Sequence, residues 1–175
     1  MKHLHRTWAL SLTALLACGS AGGAEDPLAP LAFLAGHCWI TRFEDGRQTD
    51  THCYEWMHDG KQLRDRHVVQ GKDPTYRGET IYAWHSARKR IEYRYWNSQG
   101  GQSDGYVEAG ADGTIRFLDD HFVEPDGTAY DFQSDLTRPD ETHYRMVARY
   151  LDGESWREVW TRVFEQTETP AAAPQ

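Results

Sequence analysis

The chain has 175 residues, enough for one domain with a real core, and carries 27 Asp and Glu against 19 Lys and Arg, a net charge of −8. A surface of that sign repels phosphate backbones, which argues against a nucleic-acid partner. The first residues read as a targeting segment. Lys2 and Arg6 make a basic start, an apolar run follows from Trp8 to Ala17, and the small residues CGSAGGA come next. That order is the one of an export signal over residues 1–24, and the run is too short to span a membrane.

Two cuts compete. Leu15-Leu16-Ala17-Cys18 resembles a lipobox, in which Cys18 would be lipidated and attach the protein to a membrane. The other cut follows Ala24 and would release a soluble chain. Either removes two basic residues, leaving 17 against 27 acidic and a net charge of −10. Export to a periplasm also permits disulfides. After Cys18 only Cys38 and Cys53 remain, and one pair with no remainder reads as one bridge.

The segment PLAPLAFLAG, residues 27–36, predicts a short helical turn. Beyond it the pattern alternates with period two and is rich in aromatic and β-branched residues. Asp-Gly pairs at 45–46, 59–60, 112–113, 126–127 and 152–153, with Gly100-Gly101, mark hairpins. The spacing predicts about ten short antiparallel strands in up-and-down order over residues 25–166. The Pro-rich tail, 167–175, reads as disordered.

Tight turns fix register. About Asp45-Gly46, Cys38 faces Cys53 and Trp39 faces His52, so a cross-strand disulfide is within reach. About Asp59-Gly60, His52 faces His67, Tyr54 faces Asp65, Trp56 faces Leu63 and Glu55 faces Arg64. A turn at residues 86–89 pairs Tyr82 with Tyr93 and Thr80 with Tyr95. Gly100-Gly101 pairs Tyr95 with Tyr106 and Tyr93 with Glu108. In the last hairpin Tyr144, Met146, Ala148 and Arg157 fall on the face taken as inner, with Arg145, Arg149, Trp156, Trp160 and Arg162 outside. Arg162 is the rival for a structural role, an Arg stacked over Trp39 at the barrel base, if that choice of face is reversed.

Ten meander strands must leave edges or close, and closure is the usual solution. LAFLAGHCW, residues 31–39, resembles the opening of calycin barrels, and more closely that of nitrobindin-type and exported lipocalin-like proteins. The resemblance implies a closed calycin-like barrel. The last strand lacks the His that would serve as haem ligand, so no haem or other cofactor is expected. The predicted inner wall carries His52, Tyr54, Asp65, His67, Tyr82, Tyr93, Tyr95, Tyr106, Glu108 and Arg157, which fits a pocket for a small amphipathic molecule. His52, His67 and Asp65 could hold a metal or exchange protons, but a hydrogen-bonded His pair is the simpler reading and no metal is assigned. A barrel enzyme using Tyr, Arg and Glu, and a structural envelope lipoprotein with a filled interior, are the alternatives. Oligomeric state has no signature here.

Overall fold

Leu28, Leu31 and Leu34 recur every third residue, a spacing that puts all three on one side of a 3-10 turn. In the computed structural model, which describes residues 26–167, that turn forms at Ala29–Leu34 and the three leucines are fully buried. The expected export signal, Cys18 and the tail beyond Thr167 lie outside the described residues.

Ten strands follow: β1 (Cys38–Arg42), β2 (Thr49–Met57), β3 (Gln62–Gln70), β4 (Tyr76–His85), β5 (Arg90–Asn97), β6 (Gln102–Ala109), β7 (Ile115–Val123), β8 (Ala129–Thr137), β9 (His143–Asp152) and β10 (Ser155–Thr167). Each pairs antiparallel with the next, and β10 returns to β1, closing a ten-stranded barrel compatible with a calycin-like fold. The closing seam is short. Among the described residues only Cys38, Trp39 and Ile40 pair across it, with Thr167, Gln166 and Glu165.

The two ends of the barrel differ. At the end where β1 begins, the 3-10 turn packs on Trp39, Leu63, Ile91, Val107, Ile115, Leu136 and Tyr144 and plugs it with hydrocarbon. Burying each of its leucines contributes roughly 1.5–3 kcal/mol. Cys38 and Cys53 are bonded at this same end, with Cα atoms 4.0 Å apart. Closing a loop of 15 residues is worth about 3 kcal/mol by the chain-entropy argument.

The β1–β2, β2–β3 and β4–β5 hairpins carry the expected register. Cys38 pairs Cys53, His52 pairs His67, Tyr54 pairs Asp65 and Tyr82 pairs Tyr93. Trp56 has inner parity but sits at the end of β2, 38% exposed.

Two hairpins depart from expectation. Between β5 and β6 the chain closes at Asn97 and Gly101 rather than about Gly100-Gly101. Asn97 accepts from the amides of Gln99 and Gly101, and Gly100 takes φ +90°. Tyr95 therefore pairs Ser103, and Tyr93 pairs Gly105. That odd offset turns every β6 side chain to the other face. Tyr106 moves outside under the Arg90 guanidinium, 4.1 Å from its ring centre, and Glu108 is exposed opposite Arg116.

In the last hairpin Ser155 pairs Asp152, and Val159 is an extra residue between Glu158 and Trp160. The bulge reverses the inner set of β10, so Trp160, Arg162 and Phe164 point in. Arg157 is 64% exposed and held by Asp152 at 2.6 Å, outside the cavity.

Candidate functional site

Beyond the plug, the barrel encloses a cavity of about 420 Å³. Its mouth lies at the opposite end, where Phe43, Gln48, Lys72 and Tyr76 stand on or beside the β1–β2 and β3–β4 loops. Tyr54, Tyr82, Phe117, Tyr144 and Phe164 form the floor, and Phe122, Phe132 and Trp160 line the far wall. Of the residues predicted from the sequence, His52, Tyr54, Asp65, His67, Tyr82, Tyr93 and Tyr95 meet here, whereas Tyr106, Glu108 and Arg157 do not. Glu108 is displaced and no described glutamate lines the cavity, so a Tyr/Arg/Glu constellation is not assembled in it.

One wall is a continuous polar chain built by β2 and β3. Asp65 Oδ2 accepts from His52 Nδ1 at 2.7 Å, and His52 Nε2 lies 3.4 Å from Asp50 Oδ2. Asp50 Oδ1 accepts from His67 Nδ1 at 2.9 Å. His67 Nε2 meets the Tyr95 hydroxyl at 3.2 Å, and Tyr95 meets Tyr76 at 2.5 Å. Gly78 makes room for this packing, because a Cβ there would stand 2.2 Å from His67 Nε2. Arg162 reaches the chain from β10. Its guanidinium lies 3.9 Å over Phe43 and 4.6 Å from Trp160, with Nη1 3.9 Å from Asp50.

These contacts set the charges. Burial favours neutral His52, but the Asp65 and Asp50 carboxylates outweigh it and push its pKa up to about 10. Burial likewise opposes ionised Asp50, yet His52 and His67 hold it far below the usual carboxylate range. The Tyr93 and Tyr95 hydroxyls are driven upward, chiefly by burial, and stay protonated. Burial also lowers the pKa of Arg162.

Linkage gives this cluster a pH signature. The His52 contribution is complete below its unfolded value of 6.5 and is lost as pH rises through about 10. The Asp50 contribution is present above its unfolded value of 3.8 and is lost as pH falls below it. Urea unfolding should therefore show greatest stability at about pH 4–6.5 and a steady decline to pH 10. His52→Gln should flatten that alkaline decline. A wild-type curve level from pH 6.5 to 10 would show that His52 is not charged.

Donor atoms of Asp50, His52 and His67 lie within 4.8 Å of one another, the usual composition of a metal centre. The ring geometry does not suit one. The two imidazoles are stacked, centroids 4.5 Å apart and planes 14° from parallel. Ring nitrogens bind metals in the ring plane, and stacked planes do not converge on one ion. In this arrangement the cluster is a charge network.

Asp50 and Asp120 line the cavity beyond the residues that the sequence predicts for it. Asp50 was legible, since it shares the parity of His52 and Tyr54. Asp120 was hidden by a bulge in β7. One extra residue there, with Asp119 at φ +51°, switches the inward set from Ile115 and Phe117 to Asp120 and Phe122. Comparison of the sequence with protein-family models and with curated proteins finds no match.

Proposed function

We propose that this is a calycin-type barrel that holds one small amphipathic molecule in its interior. The observation that carries the reading is the cavity itself. It is plugged with hydrocarbon at one end, walled by aromatic rings, and edged on one side by Asp50, His52, Asp65, His67 and Arg162. Its volume of about 420 Å³ lies within the range of small-molecule sites, roughly 300–1,000 Å³. A barrel widens with its strand number and eight strands can already hold one small ligand, so ten leave room for a guest. Exported action accords with the Cys38–Cys53 bond, which persists in oxidising compartments. Native mass spectrometry of protein purified from its own host should show a discrete added mass that is lost on denaturation. Bare protein, together with failure to take up small aromatic probes, would mark the interior as structural.

A further inference from the structure

The polar chain on β2 and β3 leaves one of its acceptors unused. Asp65 is 3% exposed and gives Oδ2 to His52, while its Oδ1 has no hydrogen-bond partner among the described residues. Across the cavity the same is true of Asp120 Oδ1. Tyr93, 5% exposed, and Ser103 stand beside Asp120 and favour its charged form, but no hydrogen bond to Asp120 Oδ1 is made, and the Tyr93 hydroxyl is itself unpaired among the described residues. Buried polar atoms in native proteins are almost always paired, and an unpaired acceptor costs about 1–3 kcal/mol. Asp65 and Asp120 both line the cavity, and each keeps one enclosed carboxylate oxygen without a partner, so a guest that reaches them must bring donors.

Charge narrows the class. Of the cations lining the cavity, His52 is taken up by Asp65 and Asp50, and Arg162 leans on Asp50. Lys72 lies against Tyr76 at the mouth. Asp120 has no described ion pair. A guest carboxylate at this depth would face Asp65 and Asp120 with like charge, whereas a cationic donor would meet both. The rings of Tyr82, Tyr93 and Phe117, packed 5.8–6.3 Å apart, add aromatic faces that favour a cation.

We propose that the middle of the cavity binds an amine or ammonium group, held by the Asp65 and Asp120 carboxylates and faced by the rings of Tyr82 and Tyr93. The apolar remainder of the ligand lies on Phe117, Phe122 and Phe132. Arg162 and Lys72 at the mouth exclude a second trailing cation. The assignment rests on the binding reading above and sets the chemistry of the guest.

The test uses three probes that share one tail: phenylbutylamine, phenylbutanol and phenylbutyrate, titrated calorimetrically at pH 7. The amine should bind about tenfold or more tighter than the alcohol, with the butyrate weakest. Asp120→Asn should abolish most of the amine preference over the alcohol, with a melting temperature that holds or rises because an unpaired buried charge is removed. Asp65→Asn should do the same but with reduced stability, because His52 loses a partner. Equal binding of amine and alcohol, or an amine preference that survives Asp120→Asn, overturns the assignment while leaving ligand binding intact. Tightest binding of the butyrate reverses its sign and overturns it too. If none of the three binds, the amine assignment falls, and the binding reading falls with it only when protein from its own host also proves bare.

Discussion

Asp50→Ala is expected to cost about 3–5 kcal/mol of folding free energy, the loss typical of stripping one partner from a buried charge cluster. Asp50 is buried and both its oxygens are in use, Oδ1 on His67 and Oδ2 facing His52 and Arg162. Without it, the His52 imidazolium keeps only Asp65, and Arg162 loses its one described ion pair. Urea unfolding at pH 6 measures the loss directly. Adding Arg162→Met to Asp50→Ala should recover part of it, because the stranded charge goes too. A single-mutant loss under about 1 kcal/mol would mean that the cluster is solvated rather than enclosed.

Trp39→Ala should be as damaging, at about 3–5 kcal/mol. The indole is 0% exposed and its Nε1 donates to the Leu34 carbonyl at 3.4 Å. Phe33 meets it edge-on at 6.0 Å, and Tyr144 lies tilted at 5.1 Å. It is the piece that ties the 3-10 turn to the barrel, so truncation leaves a cavity and frees the plug together. Unfolding free energy should fall and limited proteolysis near Ala35 and Gly36 should rise in the variant. An unchanged digestion pattern would show that the plug is held by its leucines alone.

Most of the barrel was legible because its early turns have even or unambiguous offsets. Asp45-Gly46 and Asp59-Gly60 placed Cys38 against Cys53 and His52 against His67, and the structure has both pairs. Alternation failed where the chain adds or drops one residue. Val159 bulges, so Arg162 turns inward, while Arg157, before the bulge, sits at the hairpin end on Asp152, outside the cavity. Asn97 closes its loop with its own side chain, so Ser103 faces inward and Tyr106 does not. Asp119 takes a left-handed conformation, which sends Asp120 inward. A period of two carries no memory of a single insertion, and each slip inverts everything after it. The Asx signature at Asn97 was the one local clue, and it outranked the glycine pair beside it.

The seam between β1 and β10 gives the barrel a built-in slit. Its three ladder pairs are gathered at the end already fastened by the disulfide and the leucine plug. Toward the mouth the joint passes to Arg162 lying flat on Phe43. Backbone ladders are directional and rupture when pulled, whereas a guanidinium on a phenyl face slides and resettles. The vessel is thus riveted at its base and merely clasped at its rim. Among the described residues the hold along that line near the rim comes from side chains, whereas every other junction of the cylinder is laced by backbone.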